Sequence, residues 1–159
     1  MSISVGIITV SDRCAKGEQE DKSGAILKEL CKDWDLLAYQ IVPDEQRQIE
    51  LTLKKLADET GCQLIFTTGG TGFAPRDVTP EATRAVIQKE APGLCEAMRS
   101  ATLKHTKFAI LSRAVAGIRN HTLIINLPGS PKGVEECFAV IRPVLPHALN
   151  LLAGNTKHD

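Results

Sequence analysis

The chain has 159 residues, of which 43% are hydrophobic and 24% are charged, and this ordinary globular composition excludes intrinsic disorder and collagen-like order. Lysine plus arginine and aspartate plus glutamate both total 19, so the formal net charge is zero. A balanced chain lacks the broad positive field that non-specific binding to nucleic acid or membrane surfaces requires. Any anion must therefore be held by a local cluster, and the length predicts a single domain over residues 1–159.

The cysteines and the apolar runs indicate the compartment. Five cysteines are spread along the chain, and none lies at zinc-finger spacing. An odd, scattered set argues against a disulfide framework or a structural zinc site and is typical of reduced, buried thiols. No apolar run approaches the ~18 residues of a membrane span, and the N-terminus lacks a signal-peptide pattern. The sequence therefore predicts a cytoplasmic protein without a membrane segment.

The first half of the chain alternates apolar runs of strand length with stretches of helical period. In chain order it predicts a strand over residues 3–10, a helix capped by Ser23, a strand over 36–42, a helix over 46–60 and a strand over 64–68. The second helix has apolar residues on one face and is stopped by Gly61.

The second half begins with a turn-rich loop over residues 69–78. Thr79 as N-cap and Pro80 at the first helical position predict a helix that runs to about residue 90. Then follow a helix over 94–104, antiparallel strands over 114–118 and 122–126, a helix begun by Ser130, and a last helical stretch interrupted by Pro143 and Pro146. The alternation predicts an α/β fold in three layers, with a mainly parallel sheet, helices on both faces and a small antiparallel edge hairpin.

Polar residues follow several of the predicted strands. Residues 11–13 follow the first strand, residues 43–45, with Asp44, follow the second, residues 69–77 follow the third, and residues 127–133 follow the last. Ligands of open α/β sheets bind beyond the carboxyl ends of the strands. We therefore expect a ligand site at this edge of the sheet.

The glycine-rich loop is the most informative of these segments. Gly69, Gly70 and Gly72 permit positive φ and close approach of the backbone, and consecutive amides can form an anion nest. The helix start at Thr79 places a positive dipole end nearby, and Arg76 can pair with phosphate through two hydrogen bonds. The motif matches neither a Walker loop nor the dinucleotide fingerprint. A purely structural glycine turn remains the alternative interpretation.

Two aspartates, Asp44 and Asp77, fall on different loops of the same edge. Mg²⁺ prefers a few carboxylates combined with phosphate oxygens and waters, so the pair can bind or position Mg²⁺ for a phosphate-rich ligand. The alternative is that Asp44 is a turn or cap residue and that Asp77 pairs with Arg76.

Two other places combine a hydroxyl with a cation, as a second anion site requires. They are Ser112 with Arg113, and Ser130 with Lys132. Ser130 taken singly is more often an N-cap. The histidines are scattered, and no arrangement supports a serine or cysteine nucleophile.

Several separate motifs, in order, resemble the signature of the molybdopterin-binding fold family. They are residues 11–13, 43–44, 67–72, 76–77, 79–82, 111–117 and 126–133. The resemblance runs from about residue 4 to residue 154, and the length and Ser112-Arg113 are most similar to the adenylyltransferases of the family. It implies that molybdopterin and ATP, with Mg²⁺, give adenylylated molybdopterin and pyrophosphate. It also implies a homotrimer and a molybdenum-insertion enzyme that uses the product.

The resemblance and the loop positions together define the candidate residues. The catalytic candidates are Asp44, Asp77 and Ser112, and the two aspartates are also the metal candidates. The nucleotide candidates are Thr68, Gly69, Gly70, Thr71, Gly72, Arg76 and Thr79. The pterin candidates are Ser11, Asp12, Arg13, Arg113, Ser130 and Lys132, of which the three cations rest on charge and position. Two alternative functions stay open: a non-catalytic module that stores or delivers the pterin, and a nucleotide hydrolase on the same fold.

Overall fold

The computed structural model describes residues 2–156. The strands are β1 (Ser4–Val10), β2 (Asp35–Val42), β3 (Leu64–Thr68), β4 (Lys89–Glu90), β5 (Ala116–Arg119) and β6 (Thr122–Leu127). The helices are α1 (Asp12–Ala15), α2 (Lys22–Leu30), α3 (Gln46–Asp58), α4 (Thr79–Val86), α5 (Pro92–Thr102), α6 (Pro131–Ile141) and α7 (Leu145–Leu152). Short 3-10 turns cover Lys107–Leu111 and Arg142–Val144.

The strands form one six-stranded sheet in the order β2-β1-β3-β6-β5-β4. The first four strands in that order are parallel, whereas β5 and β4 join as antiparallel strands. This arrangement confirms the predicted mainly parallel sheet with an antiparallel edge. The three inner parallel strands β1, β3 and β6 are buried on both faces, which requires a cover of helices on each side.

Two apolar cores lie on opposite faces of the sheet because neighbouring residues of a strand point to opposite sides. Ile7 packs with residues of α2, α5, α6 and α7, whereas its neighbour Ile8 packs with residues of α3 and α4. Ile125 and Ile124 divide between the two cores in the same way. The three predicted layers are therefore present.

The start of α2 corrects a predicted cap. The N-cap is Asp21, whose carboxylate accepts a hydrogen bond from the amide of Gly24, and Ser23 lies inside the first turn. The Ser23 hydroxyl donates instead to the carbonyl of Gly129, at 2.6 Å. The prediction of Ser23 as cap was wrong because this distant carbonyl takes its hydroxyl and the earlier aspartate satisfies the helix amides.

Both ends of α4 also differ from the prediction. The N-cap is Val78, so Thr79 is the first helical residue. The helix ends at Val86 and not near residue 90, because Lys89–Glu90 pairs with β5 as an edge strand. The sheet edge offers unpaired backbone groups at this point, and those long-range hydrogen bonds override the local helical pattern.

Candidate active site

The carboxyl ends of four strands meet at one edge of the sheet. Thr68 at the end of β3 lies beside Thr9 of β1 and Leu127 of β6, and Val10 lies beside Val42 of β2. The loops that follow these strands are therefore neighbours. The structure thus brings the predicted glycine loop, the aspartate loops and the segment after β6 to one place.

The glycine loop requires glycine at two of its three predicted positions. Gly69 and Gly70 have φ of +101° and +68°, a region that other residues rarely adopt. A Cβ placed on Gly69 would overlap the carbonyl oxygen of Val10, and one placed on Gly70 would overlap the hydroxyl of Thr79. Gly72 has no positive φ, so the backbone conformation there does not demand glycine.

The carbonyls of residues 69–72 are all occupied by hydrogen bonds from the protein. Thr79 donates to the carbonyl of Gly69 through Oγ1, at 2.9 Å, and to the carbonyl of Gly70 through its amide, at 3.2 Å. The next two carbonyls along the chain accept from the amide and the Nε of Arg113, both at 2.8 Å. Within the described part of the chain, the amides of residues 70–72 have no acceptor. The loop therefore presents N–H groups, the donors that bind a phosphate.

The segment after β6 is held in the same way. Gly69 donates its amide to the carbonyl of Leu127 at 3.2 Å, and Thr68 Oγ1 donates to the next carbonyl at 2.7 Å. Ser23 occupies the carbonyl of Gly129, and a Cβ placed on Gly129 would lie 3.2 Å from the Cα of Gly69. The two loops are thus in contact, and the Thr68 hydroxyl serves to join them.

The predicted aspartates line one cavity of about 270 Å³, which we call the acid pocket. Its walls include Thr9, Asp21, Asp44, Gly70, Asp77 and Gly129. Asp44 Oδ1 lies 3.1 Å from the position of a Cβ placed on Gly70, and Asp77 Oδ2 accepts a hydrogen bond from the amide of Ala74 at 3.0 Å. Asp44 and Asp77 are therefore brought together beside the glycine loop.

Asp44 and Asp12 are joined by two hydrogen bonds between side chain and backbone. Each carboxylate accepts the other residue's amide, at 2.9 Å and 3.0 Å. Arg76 pairs with Asp12 through two hydrogen bonds and with Glu45 through a third, and it does not pair with Asp77. The hydrogen bond from Arg76 lowers the pKa of Asp12, whereas burial, reinforced by the charges of Asp12 and Asp77, raises the pKa of Asp44.

The raised pKa of Asp44 predicts how stability depends on pH. Because folding penalises the ionised form, this group lowers stability as the pH rises through its raised pKa. Asp44→Asn is therefore expected to melt at a higher temperature than the wild type at pH 7.5. The difference in melting temperature between the variant and the wild type is expected to narrow as the pH falls towards 3.8, the ordinary pKa of an aspartate.

The check is thermal unfolding followed by circular dichroism across that pH range, with the exposed Asp33→Asn as control. The asparagine oxygen can still accept the amide of Asp12. A lower melting temperature at every pH would contradict the assigned electrostatic cost.

The predicted cations occupy different settings. Arg113 pairs with Glu81 at 2.7 Å and donates to the carbonyls of Gly72 and Asp77, so it braces the glycine loop against α4. Arg13 and Lys132 are exposed and are not among the residues that line the acid pocket. A role for these cations in ligand binding stays a prediction.

The start of α4 is bonded to the glycine loop. Its first residue, Thr79, donates its amide to Gly70, and its second, Pro80, has no amide hydrogen. These two positions therefore offer no free donor to a ligand. The unpartnered amides described here belong to residues 70–72 of the loop itself.

A second cavity, of about 380 Å³, adjoins the glycine loop and is here called the ring pocket. Predicted residues Thr71, Gly72, Ser112 and Ser130 line it. Apolar walls come from α5, α6 and the Lys107–Leu111 turn, including Met98, Phe108 and Leu111. Ser130 is also the N-cap of α6 and accepts the amide of Gly133, as the alternative interpretation predicted. A mainly apolar pocket with a few polar groups is suited to a flat heterocycle.

Sequence reasoning missed several residues that line these pockets, among them Asp21, Phe73, Phe108 and Glu136. Asp21 accepts hydrogen bonds from the hydroxyls of Thr9 and Tyr39, besides capping α2. An aspartate three residues before Gly24 is a recognisable capping signal. Phe73 lies in the loop already singled out, next to Gly72, whereas Phe108 and Glu136 carried no local signal, since they reach the ring pocket through packing.

The donor set fits Mg²⁺ combined with a phosphate ligand. No group of three or more His, Cys, Asp and Glu side chains that could hold a metal occurs among residues 2–156. Mg²⁺ commonly binds one or two carboxylates together with phosphate oxygens and waters. Asp44 and Asp77 supply that number of carboxylates next to the unpartnered loop amides.

The fold and the site define a class of protein: an α/β protein with a glycine loop and two aspartates at the carboxyl edge of its sheet, next to a mainly apolar pocket. The sequence model described as "Probable molybdopterin binding domain" matches residues 6–147. The chain therefore belongs to the molybdopterin-binding domain family.

Individual relatives cover nearly the whole chain. The molybdopterin adenylyltransferase of Helicobacter pylori J99 is 48% identical over 158 residues, which cover 97% of this chain and 90% of the relative. That of Escherichia coli K12 is 40% identical, with 96% and 87% covered. The crystal structure of the molybdopterin biosynthesis enzyme MoaB from Thermus thermophilus superposes with a TM-score of 0.91 at 50% identity, with 96% and 97% covered. Between residues 2 and 156, no helix has the length and apolar character to cross a membrane.

Proposed function

We propose that this protein transfers the adenylyl group of ATP to molybdopterin, giving adenylylated molybdopterin and pyrophosphate. The observation that carries the proposal is the juxtaposition of two aspartates with residues 69–72, whose carbonyls all accept hydrogen bonds, while in the described part of the chain the amides of residues 70–72 have no acceptor. The full-length relatives named molybdopterin adenylyltransferase support the same activity.

The acid pocket would hold the phosphates of ATP. The amides of residues 70–72, which have no acceptor among the described residues, would donate to phosphate oxygens, and the adjacent contact with Gly129 closes one side of the pocket. Asp44 and Asp77 would hold Mg²⁺, which when bound neutralises part of the phosphate charge. Asp12 and Arg76 position Asp44 through the paired backbone and side-chain hydrogen bonds.

The reaction joins two anionic reactants, so positioning and charge compensation dominate the barrier. An oxygen of the terminal phosphate of the pterin forms a bond to the α-phosphorus of ATP, and the bond from that phosphorus to the bridging oxygen of pyrophosphate breaks. The nucleophilic phosphate is already ionised at neutral pH, so no general base is required. Arg13 and Lys132, exposed near this edge, would attract the pterin phosphate.

Ser112 would act at the junction of the two pockets. It lines the ring pocket one residue before Arg113, whose backbone and side chain hold the glycine loop. Its hydroxyl already accepts the amide of Ala114, at 3.3 Å, and keeps its own proton to donate to a substrate. Ser112 is thus suited to orient the pterin relative to the nucleotide.

The test is to incubate pure protein with molybdopterin, ATP and Mg²⁺ and to measure adenylylated pterin and pyrophosphate. We expect both products in equal amounts, and neither without the pterin. Binding of the pterin without any product would favour a storage module, whereas ATP cleavage without pterin would favour a hydrolase. Asp44 argues against storage, because burial raises its pKa and so penalises the ionised carboxylate, a cost that storage does not require.

The wider setting of the activity rests on the family resemblance. We propose a homotrimer, whose contacts include an apolar groove of about 620 Å³ lined by Leu94 of α5, Ile118 of the edge hairpin and Leu151 of α7. Sedimentation as a stable monomer at micromolar concentration would contradict this. The free thiols suit a reducing compartment such as the cytoplasm, and the product would pass to a molybdenum-insertion enzyme.

A further inference from the structure

The ring pocket has to accept one of two heterocycles, the adenine of ATP or the pterin, and one side chain distinguishes them. We propose that Glu136 recognises the 2-amino-4-oxo edge of the pterin and thereby assigns the ring pocket to the pterin. This inference rests on the proposed function, since it takes the two substrates from it.

Glu136 is a carboxylate without a hydrogen-bond partner in residues 2–156. It lies on α6, lines the ring pocket and has a side chain that is 18% exposed. The nearest cation is the Nζ of Lys132, at 4.0 Å on a side chain that is 82% exposed. A contact of that length and exposure contributes little. The carboxylate is therefore available to a ligand.

The other ionisable groups of the ring pocket are already committed or neutral. Arg99 donates to the carbonyls of Ser112 and Ala114, at 3.4 Å and 3.1 Å. Burial raises the pKa of Cys95 and of Cys137 to about 11, so both thiols are neutral at physiological pH. Glu136 thus supplies the uncommitted charge in a pocket whose walls are mainly apolar.

The chemistry of the two rings decides which of them suits this carboxylate. An ionised carboxylate accepts hydrogen bonds and donates none, and it pairs best with two parallel N–H donors. The pterin ring presents N3–H next to its 2-amino group, which are two adjacent donors. Adenine presents its 6-amino donor next to N1, an acceptor that would face the second carboxylate oxygen. Glu136 therefore favours the pterin and disfavours adenine.

Two aromatic side chains at the pocket support a flat ligand. Phe73 and Phe108 line the ring pocket and are 70% and 65% exposed. Large aromatic side chains usually lie buried, and exposed ones beside a cavity are suited to stack on a planar ring. Phe73 directly follows Gly72, so the stacking surface continues from the glycine loop.

The experiment compares Glu136→Gln with Glu135→Gln, its exposed neighbour on the same helix, for binding of 6-hydroxymethylpterin monophosphate and of ATP with Mg²⁺. Loss of the carboxylate is expected to weaken binding of the pterin probe about 30-fold, because two hydrogen bonds to a charged group are lost. ATP affinity is expected to stay within about twofold, a change that corresponds to less than ~0.5 kcal/mol. Glu135→Gln is expected to leave both affinities unchanged. Circular dichroism checks that each variant is folded.

A second measurement does not depend on any variant. The same probe with its 2-amino group replaced by an oxo group should bind the wild type about 10-fold more weakly, because one donor to the carboxylate is lost. Glu136→Gln should largely abolish that discrimination.

Three outcomes would overturn the assignment. They are equal binding of the two probes by the wild type, no measurable binding of the pterin probe, and a selective loss of ATP affinity in Glu136→Gln. The product assay on the wild type tests the proposed function and does not depend on the role of Glu136. If the wild type forms product but Glu136→Gln binds the pterin probe normally, only this inference is refuted. If pterin binding depends on Glu136 but no product forms, only the proposed function is refuted.

Discussion

Asp77→Asn is expected to reduce adenylyl transfer at saturating ATP by at least about 100-fold, the scale on which loss of a charge-stabilising group acts in enzymes. The asparagine oxygen can still accept the amide of Ala74, so the loop geometry is retained. What is lost is one of the two negative charges that would hold Mg²⁺ against the phosphates. The measurement is pyrophosphate release at saturating molybdopterin and ATP.

The matched control is Asp33→Asn, which removes an exposed carboxylate shortly before β2, outside both pockets. It is expected to retain wild-type turnover. An unchanged melting temperature of Asp77→Asn would show that its defect is chemical. Near-normal pyrophosphate release by Asp77→Asn would remove Asp77 from the proposed mechanism.

Gly69→Ala is expected to lower the free energy of unfolding by roughly 3 kcal/mol, the upper range for a residue held in a sparsely populated backbone region. Two causes act together: the φ of +101° is unfavourable for alanine, and the new Cβ overlaps the carbonyl of Val10, which belongs to the central sheet. Neither the strand nor the loop can move freely, because Gly69 also donates its amide to Leu127. Urea unfolding at pH 7.5 measures the loss.

Gly93→Ala is the matched control, since the site is in the first turn of α5 and a Cβ there meets nothing within 4 Å. Alanine is up to ~1 kcal/mol more favourable than glycine in a helix, so this variant is expected to be neutral or more stable. The two variants add the same methyl group. Equal effects on unfolding would refute a requirement for glycine at position 69.

The strands and the residues that follow them were predictable because their signals are local. The run over residues 64–68 is apolar and β-branched and is followed at once by glycines, and the structure has β3 over the same residues. Asp44 and Asp77 were predicted to share an edge because parallel strands end on the same side, and both line the acid pocket. Their chemical roles stay predictions until the variants are measured.

The errors arose where a distant group competes with a local pattern. Residues 87–90 have a helical pattern, yet Gln88 and Ala91 donate their amides to carbonyls of β5. Ser23 has the composition of a cap, yet its hydroxyl reaches a carbonyl 106 residues away. In both cases the competing partner is invisible to any window of the sequence.

The sequence by itself determined the order of the longer strands and helices, the positive φ of Gly69 and Gly70 and the loops that carry acids, because these depend on periodicity and backbone sterics. Tertiary structure decided which groups remain available to a ligand. Arg76 and Arg113 are hydrogen-bonded to protein partners, whereas between residues 2 and 156 the amides of residues 70–72 find no acceptor and the carboxylate of Glu136 finds no hydrogen-bond donor. Such availability depends on hydrogen bonds between residues far apart in the chain, and folding alone brings them within reach.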